Sequence, residues 1–154
     1  MIFILKKLLC FTLIIICIFS SCLPSLSKET RNADEILEAV LAEYGIEDGY
    51  CYSTRKDAKH PLTDAFLERM FFGARLSDLR YVDSMAVYCS RRYNEREIIV
   101  IELYDVSHQK AVMALLLERA DKKEDAVVFS NGVYLYLLCT ERNEEIREYL
   151  CGKK

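Results

Sequence analysis

The dipeptide Asn131-Gly132 constrains this chain more than any other feature, because it stands between two strand-like runs, Ala126-Val127-Val128-Phe129 and Val133-Tyr134-Leu135-Tyr136-Leu137-Leu138-Cys139. Both residues tolerate the positive φ of a type I′ turn, so the segment predicts an antiparallel hairpin. A second hairpin is predicted upstream. There Met85, Val87 and Cys89 alternate with Ala86, Tyr88 and Ser90. Beyond Arg91-Arg92-Tyr93-Asn94-Glu95 follows Glu97-Ile98-Ile99-Val100-Ile101-Glu102-Leu103-Tyr104, dense in β-branched residues.

Helical spacing fills the intervals. Asn32 stands three residues before Glu35, a capping pair, and Ile36, Leu37, Val40, Leu41 and Tyr44 follow on one face, so a helix is predicted over 33–44 and ended by Gly45. Residues 46–61 are polar, charged and tyrosine-rich with neither period sustained, and read as a loop. Leu62, Phe66, Leu67, Met70 and Phe71 form the face of a second helix that stops near Gly73, and a short helical turn is expected over 76–79. Ser107 is placed to cap a third helix over 108–120, with Val112, Leu115 and Leu116 as its apolar stripe. After a charged turn at 121–124 and the second hairpin, Asn143 is placed to cap a last helix carrying Ile146, Tyr149 and Leu150. Two hairpins joined by a helix predict an α+β domain with a four-stranded, mainly antiparallel sheet and helices packed on one face. The order of the strands stays open at this stage.

The N-terminus reads differently. Lys6 and Lys7 precede a run from Leu8 to Phe19 interrupted only by Thr12, a charged n-region followed by an h-region of secretory length. A helix crossing the hydrocarbon core needs about 20 apolar residues, and the lysines interrupt the run. The sequence Phe19-Ser20-Ser21-Cys22 is similar to a bacterial lipobox, with Phe19 in place of the usual aliphatic residue. Lipidation of Cys22 is therefore expected, with an ordinary signal peptide or a retained anchor as the alternatives. The expected organisation is a signal peptide at 1–21, a lipid-bearing cysteine and polar tether at 22–31, and one domain at 32–154. Each buried CH₂ of an acyl chain contributes about 0.8 kcal/mol, so two or three chains give firm anchoring. The expected location is the extracytoplasmic face of a bacterial membrane.

Loss of a leader holding two lysines and no acid moves the net charge from -3 to -5. A mildly acidic domain offers no electrostatic footprint for nucleic acid. Cys51, Cys89, Cys139 and Cys151 remain in the mature part. Cys89 and Cys139 lie inside apolar strands and are expected to be reduced and packed, whereas pairing of Cys51 with Cys151 stays open.

The leader, the capped helix beginning Ala33-Asp34-Glu35-Ile36, the strand Met85-Ala86-Val87-Tyr88, the entry Asn94-Glu95-Arg96-Glu97-Ile98 and the run Gly132-Val133-Tyr134-Leu135 together resemble the small bacterial lipoproteins grouped as the domain of unknown function 4358. The likeness covers about 33–150. The short connection at 121–125 departs from it, where relatives are expected to be longer. The resemblance implies a cell-envelope lipoprotein and brings no activity with it.

Chemistry-bearing patterns are sparse. There is no C-x-x-C, no H-E-x-x-H, no G-x-S-x-G and no glycine-rich phosphate loop, and His60 and His108 are the only histidines. Cys51, Asp57, His60 and Asp64 form one loose cluster in sequence, more readily an exposed loop and a helix start than a site. No catalytic residue, cofactor or metal ligand is assigned, and the chain is expected not to be an enzyme. Two surface features point to binding. Arg91, Arg92 and Arg96 gather at the first hairpin tip, where lipid headgroups or an anionic wall polymer would meet them. Tyr134 and Tyr136 alternate on the last strand with Tyr88 beside them, as aromatics do at interfaces, although the same residues would also serve to cover the sheet beneath a helix. The leading expectation is a lipid-tethered interaction module that docks an envelope partner. A small-ligand-binding lipoprotein comes second and a thiol-dependent enzyme last.

Overall fold

The computed structural model describes residues 31–72, 76–91 and 96–152. Cys22 and Arg92 therefore lie outside the described residues. In chain order the elements are α1 (Ala33–Tyr44), β1 (Gly49–Ser53), α2 (Asp64–Phe71), a 3-10 turn (Leu76–Tyr81), β2 (Val82–Ser90) and β3 (Glu97–Leu103). A second 3-10 turn (Val106–His108), α3 (Gln109–Ala120), β4 (Val127–Asn131), β5 (Tyr134–Cys139) and α4 (Asn143–Leu150) complete the domain. Among the described residues no helix is long and apolar enough to cross a membrane.

The strands form one five-stranded sheet in the order β1-β2-β3-β5-β4, and every neighbouring pair is antiparallel. The expected α+β class holds, with one strand more than expected. That strand, β1, lies inside the segment read as a loop. Only five residues long, it shows too little alternation to stand out, and its backbone is organised by the open edge of β2, where Cys51 faces Tyr88 and Tyr52 faces Val87. Gly49 is required there. A Cβ at that position would sit 2.3 Å from Cε2 of Tyr88 and 2.4 Å from the carbonyl oxygen of Cys89.

Helices cover both faces of the sheet, not one. On one side α1 and α4 bring Ala33, Ile36, Leu37, Val40 and Ile146 against Ala86, Tyr88, Ile98, Val100, Tyr136 and Leu138. On the other, α2 and α3 bring Met70, Phe71, Val112, Leu115 and Leu116 against Met85, Val87, Ile99, Ile101, Leu135 and Leu137. The physical reason is visible in β3, where Ile98, Ile99, Val100 and Ile101 leave no polar face to water, so both sides of the strand must be covered. All four are fully buried.

Three local expectations shift by a residue or two. The second hairpin turns on Gly132, whose φ is +62°, while Asn131 ends β4 opposite Tyr134 and donates its side-chain amide to the Leu150 carbonyl at 3.0 Å. Asp105, not Ser107, caps the entry to α3: its carboxylate accepts from the Ser107 amide at 2.7 Å. Asn143 is the first residue of α4, not its cap, and accepts from the Thr140 amide at 2.8 Å. The start of α1 is as expected, with Asn32 Oδ1 accepting from the Glu35 amide at 3.0 Å and Glu35 Oε2 accepting from the Asn32 amide at 3.3 Å.

Candidate functional site

Glu97 opens β3 on the side facing α2 and α3, two residues before Ile99 and four before Ile101. Cross-strand register sets it between Cys89 of β2 and Cys139 of β5. A carboxylate placed among apolar neighbours with its side chain only 3% exposed would be very costly unless paired. Two cations supply the pairing. Arg119, in the last turn of α3, donates Nε to Oε1 at 3.0 Å and Nη2 to Oε2 at 2.7 Å. Lys123 follows four residues later, and its Nζ lies 2.8 Å from Oε2 with its own side chain 3% exposed. Arg119 also donates Nη1 to the Met70 carbonyl at 3.2 Å, which ties the cluster to α2. Burial raises the Glu97 pKa, but the hydrogen bonds and charges of Arg119 and Lys123 outweigh it and hold the carboxyl below its usual range.

This triad forms the floor of a cleft of about 510 Å³. One wall is aromatic: Tyr52 of β1 stacks on Phe66 of α2 with ring centroids 4.2 Å apart, and Phe72 lies beyond. Arg69 of α2 and Arg96, just before β3, line the cleft as well. Arg96 Nε lies 2.9 Å from Glu141 Oε2, and Arg96 Nη1 lies 3.8 Å from Asp48 Oδ1. Arg69 donates Nε to the Ala65 carbonyl at 3.2 Å. Cys89 and Ser90 contribute the end of β2. The volume is that of a small-molecule site, and the lining joins an aromatic wall to a set of charged groups.

The arrangement is suited to holding a ligand and poorly suited to thiol chemistry. Burial, with the Glu97 charge added, pushes the Cys89 thiol up to about 12, so it stays protonated at neutral pH. Burial raises the Cys139 thiol too. All four described cysteines are free, so Cys51 and Cys151 are not paired: Cys51 is on the edge strand β1, whereas Cys151 follows α4. No group of three potential metal ligands occurs among the described residues. The sequence cluster around His60 is not assembled either. Cys51 shares a face of β1 with Tyr88 on the α1 side, His60 packs against the rings of Tyr50 and Tyr52, and Asp57 pairs with Arg55 at 2.7 Å. His108 stacks on Tyr81 with centroids 3.7 Å apart.

The surface residues expected from sequence are dispersed. Tyr88 and Tyr136 are 1% and 2% exposed, packed beneath α1 and α4, and so form no docking surface. The Tyr88 hydroxyl donates to Asp48 Oδ1 at 2.7 Å, while Tyr136 stacks on Phe129 at 4.8 Å. Half-buried Tyr134 donates its hydroxyl to the Arg31 carbonyl at 2.8 Å. Period two correctly put these tyrosines on one face, but α1 occupies that face. Arg91 is exposed with its guanidinium 5.9 Å from the Tyr50 ring centroid, and among the described residues Arg96 is the expected one that lines the cleft.

Glu97, Arg119 and Lys123 escaped the sequence reading. Two signals carried them: an acid on the inward side of a β-branched run, and two cations spaced i, i+4 at the end of a helix. Comparison with protein-family models, curated proteins and solved structures finds no match.

Proposed function

We propose that this protein is a lipid-anchored cell-envelope module that binds a small ligand in the cleft between α2, α3 and the sheet, and performs no chemistry on it. The observation that carries the binding role is the cleft itself, with a buried ion triad as its floor and stacked Tyr52 and Phe66 as its wall. Docking through a tyrosine-bearing sheet face has lost its support, since α1 and α4 cover that face. The protonated state of Cys89, a buried thiol beside the Glu97 carboxylate, argues against thiol catalysis.

Anchoring rests on the leader, where Ser20-Ser21-Cys22 closes an apolar run behind Lys6 and Lys7. Membership in the lipoprotein family that the chain resembles belongs to the same proposal. The membrane is then a partner through the lipid on Cys22, and Arg91 remains available for anionic envelope polymer.

Two measurements test this reading. Mass spectrometry of the mature N-terminus is expected to find an acylated Cys22, and Cys22→Ala to leave the membrane fraction; an unmodified terminus refutes the anchor. Protein-observed NMR of the intact chain with a fragment library is expected to return binders whose shifts map to Tyr52, Phe66 and Cys89. A library without binders, or with binders mapping elsewhere, refutes the cleft as a binding site.

A further inference from the structure

The cleft carries more specific information about its occupant. Lys123 presents an ammonium with three donors, and its side chain is almost wholly buried. One donor meets Glu97, and no other partner of that ammonium occurs among the described residues. The ammonium lines the cleft and so can donate to an acceptor placed there. The charges agree. Arg69, Arg96, Arg119 and Lys123 line the cleft against one carboxylate, Glu97. With Arg96 balanced by Glu141 and Glu97 shared by Arg119 and Lys123, the lining is cationic, inside a chain whose net charge is -3. The Nη1 and Nη2 atoms of Arg69 have no hydrogen-bonding partner among the described residues, and they belong to the same cleft.

We infer that the ligand is a small organic acid, bound through a carboxylate by Lys123 and Arg69, with a flat apolar group lying along Tyr52 and Phe66. This rests on the ligand-binding reading given above. A monoanion suits the site better than a phosphate dianion. Arg119 lies in the last turn of α3 and Lys123 three residues beyond its end, near the carbonyl end of the helix, whose partial negative charge adds to that of Glu97. Among the described residues the cleft also lacks a glycine-rich loop of converging backbone N–H groups, the usual means of holding phosphate. Glu97 is a positioning residue: it fixes Arg119 and Lys123 in place and sets how much positive charge is left for the ligand. The aromatic wall supplies apolar contact for a planar group and selects against bare inorganic anions.

The test is calorimetric titration of the intact chain in nonionic detergent, against a detergent blank, with 2-naphthoate, its neutral isostere 2-naphthamide, and 2-naphthyl phosphate. Naphthoate is expected to bind about tenfold more tightly than the amide, the factor expected from one extra favourable charge contact. The Arg69→Gln change, at an exposed position of α2, is expected to erase most of that preference. Lys123→Met, checked for folding by circular dichroism, is expected to do the same. Equal affinity for amide and naphthoate overturns the carboxylate assignment and leaves the cleft as a site for neutral ligands. Tighter binding of the phosphate overturns it in favour of a dianion. Silence from all three probes up to millimolar concentration overturns the carboxylate assignment, and if the fragment library is silent too the binding reading falls with it.

Discussion

Val100 and Ile101 are adjacent on β3 and equally buried, yet they look onto different chemistry. Val100 faces the layer made by α1 and α4, where the neighbours are Ile36, Leu37, Val40, Tyr136 and Ile146. Ile101 faces the layer made by α2 and α3, and on that side of the same strand stands Glu97 with Arg119 and Lys123. One face is closed by apolar packing and the hydroxyls of its tyrosines reach out to Asp48 and Arg31. The other opens at its end into a cleft whose floor is ionic. Stability on the first face comes from removing apolar area from water; on the second, part of that gain is exchanged for a fixed set of charges that a ligand can meet.

Breaking the ion triad is expected to have the largest effect. Glu97→Gln removes the carboxylate shared by Arg119 and the buried Lys123 ammonium, and is expected to cost about 3 to 5 kcal/mol in urea unfolding at neutral pH. Replacing Glu97, Arg119 and Lys123 together with apolar residues of similar volume is expected to restore most of that stability and abolish acid binding. A triad serving stability alone would not show this split. The pH dependence has a definite sign. Because the folded-state pKa of Glu97 lies below its unfolded value, its contribution is complete above the ordinary carboxylate range and is lost as pH falls from there through the lower folded value. Acid unfolding monitored by circular dichroism is expected to start at higher pH in the parent than in the triple apolar variant.

On the closed face, Ile146→Ala is expected to cost about 2 to 5 kcal/mol, since Ile146 is fully buried against the sheet, without changing affinity for 2-naphthoate in the folded protein. A loss of affinity there would mean that the two faces are coupled. Gly49→Ala forces a Cβ into the Tyr88 ring and the Cys89 carbonyl, and is expected to cost about 1 to 3 kcal/mol by overpacking. Asn32→Ala removes one half of the α1 capping box and is expected to cost about 1 kcal/mol, read as a small shift in the unfolding midpoint.

Sequence pattern revealed the elements more fully than their arrangement. The two hairpin runs and the helical stripes were legible because each repeats a period over enough residues, as Val112, Leu115 and Leu116 do. Strand β1 was not, because five residues at an edge take their conformation from β2 more than from their own composition. Helices on both faces were encoded in the unbroken run Ile98 to Ile101, which has no polar side for water. The hairpin count suggested a one-sided sheet and obscured that signal. The site was the least legible part. Glu97, Arg119 and Lys123 are separated by 22 and four residues in sequence, and each alone reads as an ordinary surface charge. Only the fold of β3 against α3 brings them together. The tyrosine stripe failed in the opposite way: its periodicity was read correctly, but a period of two says which residues share a face and not whether a helix lies on it.

The most direct test of this division is amide chemical-shift mapping of the intact chain as 2-naphthoate is added. On this division, concentration-dependent shifts are expected at Tyr52, Cys89, Arg119 and Lys123, with Val40, Tyr136 and Ile146 left unmoved. Shifts centred on α1 and α4, or none at all up to millimolar naphthoate, would contradict it.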